Sequence, residues 1–203
     1  MENLKKLTII LFLIIIGLMA YIIALHTSFR PKDTIKIIHE RKSVRHFEQE
    51  DVADKDIDII LNAAMAAPTA GNKQPWEFIV IKNRERLDNL AEYLPYGKFL
   101  KRAPLAIIVV GNLDRAFTGE ERELWVQDTS AATENLLLAA EAIGLGAVWT
   151  AVYPMQDRVK NVSDFLKLPD NIIPLNVVII GHPSGVESPK DKTKPEYIHY
   201  ENY

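Results

Sequence analysis

The sequence ELWVQDTSAATENLLLAAEAIG, residues 123–144, predicts a long helix around which the rest of the fold must pack. Alanine and leucine, both strong helix formers, fill its second half, and Gly144 is typical of the residue that follows a helix. The stretch is apolar over most of its circumference, which is typical of a helix buried on nearly all sides. In a chain of 203 residues, we expect part of that burial to come from a second copy, so the stretch predicts a homodimer.

Shorter elements alternate on both sides of this helix. Short apolar, β-branched runs predict strands at 76–82, 105–111, 146–153 and 174–181. Amphipathic spacing predicts helices at 32–44, 54–67, 84–94 and 156–168. This interspersed pattern is typical of an α/β or α+β domain, here residues 31–203, and it leaves the order of the strands open.

The first residues differ in composition from that domain. LTIILFLIIIGLMAYIIAL, Leu7 to Leu25, carries no charge, and as a helix it just crosses a hydrocarbon core of about 30 Å. It predicts a transmembrane anchor in residues 1–30, with a cleaved signal peptide as the alternative. Lys5 and Lys6 before the span balance Arg30 and Lys32 after it, so the positive-inside rule leaves the orientation open.

Composition narrows the classes of function. The formal charge of −3 argues against a nucleic-acid binder, and the absence of cysteine excludes disulfides, thiolate metal sites and a cysteine nucleophile. No spacing of His, Asp and Glu suggests a metal, and no residue is predicted to be catalytic by proton transfer. We interpret Asp128 and Glu134 on the long helix as capping or dimer contacts.

Two segments are candidates for binding. In ERKSVRHF, residues 40–47, three cations surround Ser43, an arrangement suited to a phosphate; a solvated helix end is the alternative. In AAPTAGNKQPWEF, residues 66–78, Asn72 and Gln74 can each donate and accept, and small residues would let a flat ring approach the backbone. An ordinary turn is the alternative there.

Together these segments resemble signatures of the FMN-dependent nitroreductase family. ERKSVRHF resembles R-[RK]-S-[VI]-R-x-[FY], and APTAGNKQPWEF resembles A-P-[ST]-x-x-N-x-Q-P-W-x-F. Residues 125–154 are similar to the family's central helix and following strand. VVIIGHP at 177–183 and the tail at 190–203 complete the match. The resemblance covers roughly residues 34–203, in chain order.

The resemblance implies a fold and an activity. The fold would be α+β, in three layers, with a mixed and mainly antiparallel sheet flanked by helices, in an obligate homodimer with two FMN sites at its interface. NADH or NADPH would be the co-substrate. The activity would be ping-pong, two-electron reduction of nitro compounds, quinones or related small acceptors through flavin N5.

The resemblance also implies which residues contact the cofactor. The first segment would bind the FMN phosphate and ribityl chain through Arg41, Lys42, Ser43 and Arg45. The loop would pack on the flavin from the partner subunit through Pro68, Thr69, Ala70 and Asn72. The strand after the central helix would pass the flavin edge at Val148, Trp149 and Thr150. A tail cation would complete the phosphate site at Lys192, with Lys190 as the alternative, where the family usually has Arg.

The predicted anchor keeps two other functions open. One is a reductive dehalogenase like iodotyrosine deiodinase, in which a similar domain follows an N-terminal span. The other is a membrane-tethered flavin-binding redox sensor, whose flavin NAD(P)H would reduce only slowly. Because FMN and NAD(P)H are cytosolic, the sequence-based prediction is a single-pass membrane protein with its catalytic domain in the cytoplasm.

Overall fold

The computed structural model describes residues 1–28, 34–95, 97–185 and 187–203. The chain divides into two compact units, Met1–Asp33 and Thr34–Tyr203. The first unit contains helix α1 (Glu2–Ser28). In the part of the chain that the structure describes, no helix has both the length and the apolar character that crossing a membrane requires, so the predicted anchor at 7–25 is not supported. The domain boundary predicted at residues 30 and 31 lies outside the described residues.

The second unit is an α+β fold built on one sheet whose strand pairings are all antiparallel, so the mixed sheet that the resemblance implied is not found among the described strands. Its strands are β1 (Trp76–Ile81), β2 (Leu105–Asn112), β3 (Gly146–Ala151) and β4 (Ile172–Gly181), in the order β1-β2-β4-β3. Its helices are α2 (Thr34–Glu40), α3 (Asp54–Met65), α4 (Arg84–Ala91), α5 (Leu124–Ala142) and α6 (Gln156–Leu166). The predicted elements are therefore present, in the predicted order.

The sheet is covered on both faces. Along β2, Leu105, Ile107 and Val109 belong to a core that also contains α3 and α5 residues, because alternate side chains of a strand point to opposite faces. Ala106 and Ile108 belong to a second core with α4 and α6 residues. The result is the three-layer arrangement that the resemblance implied, and it explains why β2 is apolar without interruption.

Helix α5 is largely buried, as its apolar sequence predicted, and it lies against the sheet and α3. Trp125, Ala132, Leu136 and Ala140 are among its buried side chains. The helix ends at Ala142 and is capped by Ile143, and Gly144 follows with a φ of 84°, a left-handed conformation that favours glycine. Several side chains on its remaining face are only half-buried within one chain.

The helix predicted at 32–44 is shorter than expected. Helix α2 ends at Glu40, and Ser43 forms a parallel bridge with Ala147 of β3. The Val44 N–H donates to the Ala147 carbonyl at 3.0 Å. Backbone pairing with the sheet edge thus replaces the last helical turns, and the cationic segment is extended chain rather than a solvated helix end.

Candidate functional site

One cavity collects the predicted phosphate-binding residues. The cavity has a volume of about 1020 Å³ and lies between residues 38–45 and the start of the tail, residues 187–193. It is called the anion cavity below. Its lining includes every cofactor residue predicted in the first segment and both candidate tail lysines: Arg41, Lys42, Ser43, Arg45, Lys190 and Lys192. The fold therefore joins segments far apart in the sequence.

Two of these cations face carboxylates of α5. Arg41 Nε lies 3.3 Å from Glu134 Oε1, and Lys42 Nζ lies 3.2 Å from Glu141 Oε2. The Glu141 side chain is only 8% exposed, so Lys42 balances a largely buried charge. Both ion pairs hold the segment against α5, and both partly neutralise the positive charge that the sequence placed at the cavity.

Arg45 is oriented by different contacts. Its guanidinium donates from Nη1 to the Ser43 carbonyl at 3.1 Å and lies 5.9 Å from the centroid of the Phe99 ring. Its backbone N–H donates to Glu187 Oε1 at 2.9 Å. The Arg45 side chain is exposed and lines the cavity together with Ser43. These two residues are thus available to an anion.

Glu187 is a cavity residue that the sequence-based reasoning missed. Its carboxylate also lies 2.8 Å from His46 Nδ1. Burial raises the pKa of Glu187, but the hydrogen bonds from the Arg45 N–H, the His46 ring and its own backbone N–H, together with the charge interaction with His46, bring the pKa below its ordinary value. No local spacing could have identified the residue, because its partners Arg45 and His46 lie 142 and 141 positions earlier in the sequence.

The loop from Pro68 to Gln74, called the amide loop below, is tied to α5. Thr69 Oγ1 donates to Asp128 Oδ2 at 3.0 Å, and the Ala70 N–H donates to Asp128 Oδ1 at 2.9 Å. Asp128 is buried. The carboxylate interpreted as a cap or a dimer contact therefore fixes the start of the amide loop, a long-range role that its position in a helix did not reveal.

The amide loop has an unusual backbone. Gly71, Asn72 and Gln74 have φ values of 54°, 55° and 47°. Residues other than Gly, Asn and Asp rarely adopt this left-handed backbone conformation. Gln74 Nε2 donates to Asn72 Oδ1 at 2.8 Å, and the Gln74 N–H donates to Thr69 Oγ1 at 3.0 Å. Among the described residues of one chain, none accepts a hydrogen bond from the amide hydrogens of the exposed Asn72. Such over-determined strain is typical of binding sites.

The residues predicted on β3 differ in access. Val148 and Thr150 are buried, and Val148 packs in the same core as Val44. Trp149 is half-buried beside Trp125 and Tyr153. Within one chain, then, only the Trp149 side chain of this group reaches the surface.

The predicted site residues do not all meet in one chain. Among the described residues that line the anion cavity, none comes from the amide loop or from β3. The resemblance placed the amide loop on the site of a partner subunit, and that arrangement stays a prediction. No group of three or more His, Asp or Glu in the described part of the chain could hold a metal ion.

The chain is similar to proteins of one family. The model of the Nitroreductase family matches residues 38–95 and 91–182. A protein of Archaeoglobus fulgidus with the provisional name NADH dehydrogenase/NAD(P)H nitroreductase is 41% identical over 85% of this chain and 99% of its own. A crystal structure from Bacteroides thetaiotaomicron with the same provisional name is 46% identical, covers 84% of this chain and 98% of its own, and has a TM-score of 0.79. An FMN-dependent nitroreductase from Clostridium difficile is 28% identical, with a TM-score of 0.75, and covers 83% of this chain and 99% of its own.

Proposed function

Since the chain belongs to the nitroreductase family and is an NAD(P)H-dependent oxidoreductase, we propose that it binds FMN and reduces small acceptors such as nitro compounds or quinones. The observation that carries this proposal is the anion cavity. It unites Ser43, Arg45 and the tail lysines around a space large enough for a phosphate ester. A phosphate monoester carries nearly two charges and strong acceptor oxygens, which cations and hydroxyl donors bind well.

The contacts within the cavity indicate which of the predicted cofactor residues would bind the phosphate and which would orient the segment. Ser43 and Arg45 would hold the phosphate, and Lys192 or Lys190 would approach it from the tail. Arg41 and Lys42 are drawn toward Glu134 and Glu141, so we expect them to orient the segment more than they bind the anion. The ammonium group of Lys is a compact point charge, whereas the planar guanidinium of Arg can donate two parallel hydrogen bonds. The tail contact would therefore be less directional than one made by Arg.

In this proposal the side chains bind and orient the cofactor and take little part in the reaction itself. Bound FMN supplies the two-electron exchange between a nicotinamide and an acceptor. The chain has to bind the phosphate, hold the ring and leave one face open. Asn72 suits the polar edge of the ring, because its amide hydrogens remain available while Gln74 fixes its carbonyl oxygen.

A second copy would complete the site. The amide loop lies outside the anion cavity of its own chain, so in this proposal it reaches the cavity of a partner. An apolar groove of about 220 Å³ between α2, α3 and α5 is open in one chain and is lined by Ile37, Ile38, Leu138, Ala139 and Ala142, among others. The tail also exposes Tyr197, Ile198, Tyr200 and Tyr203. A homodimer would cover these apolar surfaces.

The test is the absorbance spectrum of the purified full chain, followed by anaerobic addition of NADH and then NADPH. We expect a flavin spectrum that one of the nicotinamides bleaches within seconds, after which acceptors can be screened by reoxidation. A colourless protein that takes up no added FMN would contradict the proposal. A flavin that neither nicotinamide reduces would favour the redox sensor instead.

The dehalogenase alternative has less support. Its substrate lid would have to come from residues 92–104 or 112–123, and in the described part of those segments the structure has only the short helical turns Gly97–Phe99 and Gly119–Glu123. We therefore expect a halotyrosine to reoxidise the reduced protein more slowly than a quinone does.

A further inference from the structure

The wall of the anion cavity contains a carboxylate at a position where cations are expected. Glu187 Oε1 accepts the Arg45 backbone N–H at 2.9 Å and lies 2.8 Å from His46 Nδ1. Its side chain is 18% exposed, and its second oxygen is buried against Gly185. Glu187 is therefore held in one position rather than free in solvent.

The contacts of Glu187 extend a ladder between two chain segments. The Glu48 N–H donates to the His182 carbonyl at 2.9 Å, and the Ser184 N–H donates to the His46 carbonyl at 3.0 Å. Glu187 adds the next link, from the tail to Arg45. Immediately beyond it the tail forms the second wall of the cavity, at 188–193. Glu187 thus links the two walls of the cavity.

We propose that Glu187 is a positioning residue for the cofactor phosphate, an inference that rests on the proposed function. Its carboxylate fixes the backbone at Arg45, so that Ser43 and Arg45 keep their places on one wall. It also sets where the tail begins to cross the cavity, and with it the approach of Lys190 and Lys192. Glu187 makes no contact with the phosphate in this proposal, because it acts through its neighbours.

The negative charge of Glu187 should weaken the binding of an anion, whereas its positioning role should strengthen that binding. This difference makes the proposal testable. A carboxylate near a phosphate repels it, whereas ordering the donors favours binding. Gln at this position keeps an oxygen that can accept the Arg45 N–H and removes the charge. Ala removes both. The two variants therefore separate positioning from repulsion.

The experiment measures binding of FMN and of riboflavin, which lacks the phosphate, to the flavin-free full chain by quenching of flavin fluorescence. We expect Glu187→Ala to raise the dissociation constant for FMN about tenfold, the effect of losing a charge-assisted hydrogen bond, and to change riboflavin binding less than about twofold. Glu187→Gln should bind FMN as tightly as the wild type or more tightly. Glu196→Ala, which removes an exposed carboxylate farther along the tail, is the matched control and should leave both constants unchanged.

Hydrogen exchange at the Arg45 amide in the absence of flavin is the second measurement. It should accelerate in Glu187→Ala and not in Glu187→Gln. The proposal is overturned if Glu187→Ala binds FMN as tightly as the wild type, if FMN and riboflavin lose affinity equally, or if the Arg45 amide exchanges at an unchanged rate. If the wild-type chain binds neither flavin, the proposed function and this role toward a phosphate both fail, while an accelerated Arg45 amide would show that the link itself is real.

Discussion

At the scale of single residues, Asp128 connects α5 to the amide loop through two hydrogen bonds. The Thr69 hydroxyl and the Ala70 N–H both depend on this one buried carboxylate. Thr69 Oγ1 in turn accepts the Gln74 N–H, so the left-handed turn containing Asn72 is closed from both ends. The position of Asn72, the residue proposed for the ring edge, is thereby fixed from α5.

We expect Asp128→Ala to lower the free energy of unfolding by about 2 kcal/mol, because two donors lose a charged acceptor. Asp128→Asn keeps one acceptor oxygen and should cost less than about 1 kcal/mol. Urea denaturation followed by circular dichroism measures both. Gln127→Ala, at an exposed position on the same helix, is the control. An Asp128→Ala chain as stable as the control would show that the amide loop does not depend on this carboxylate.

At this scale, sequence-based reasoning could nominate candidate binding residues, whose roles stay a prediction, but it could not find their partners. Local spacing was enough to select Ser43, Arg45 and Asn72, because motifs are local and each of these side chains lies in one. It did not reveal that Asp128 bonds the amide loop, nor that Glu187 bonds Arg45. Both contacts join segments that are distant in sequence, and no periodicity encodes such a pairing.

At the scale of elements, the approach of residues 41–47 to the sheet edge depends on Gly146. A Cβ added to Gly146 would lie 2.7 Å from Val44 Cβ, which is closer than two non-bonded carbon atoms can approach. Amphipathic spacing extended the predicted helix through this segment, and that prediction was wrong because a backbone partner on β3 was available to Val44. The strands and the other helices were predicted correctly because their apolar patterns were strong and tertiary packing agreed with them.

We expect Gly146→Ala to destabilise the chain by about 1–3 kcal/mol, the range typical of overpacking, and to weaken FMN binding through displacement of Ser43. The effect should be smaller in a Val44→Ala background, where the two γ-carbons near the new methyl group are absent and only the contact with the Cβ of residue 44 remains. Denaturation and flavin titration of the single and double variants form a double-mutant cycle. Strict additivity of the two substitutions would contradict the close approach of Val44 to Gly146.

At the scale of the whole molecule, the second unit has an open apolar groove on one side of α5, and none of its amide-loop residues is among the described residues that line the anion cavity. The groove and the exposed tail tyrosines are both surfaces that a second copy would bury. If a second copy does so, cofactor binding and dimerisation are linked, because FMN bound between two chains stabilises the dimer by mass action.

Leu138→Glu places a charge in this groove and tests that linkage. Leu138 is half-buried in one chain, so the monomer should keep its fold, whereas a dimer would have to bury the new carboxylate at a cost of several kcal/mol. We expect sedimentation velocity to show a dimer for the wild type and a monomer for the variant, with FMN affinity reduced at least about tenfold and an unchanged circular dichroism spectrum. Gln127→Glu adds the same charge at an exposed position of α5 and should remain dimeric. A Leu138→Glu chain that is still a dimer would place the interface elsewhere. A monomeric variant that binds FMN as tightly as the wild type would mean that one chain holds the cofactor unaided, and the amide loop would then need another role.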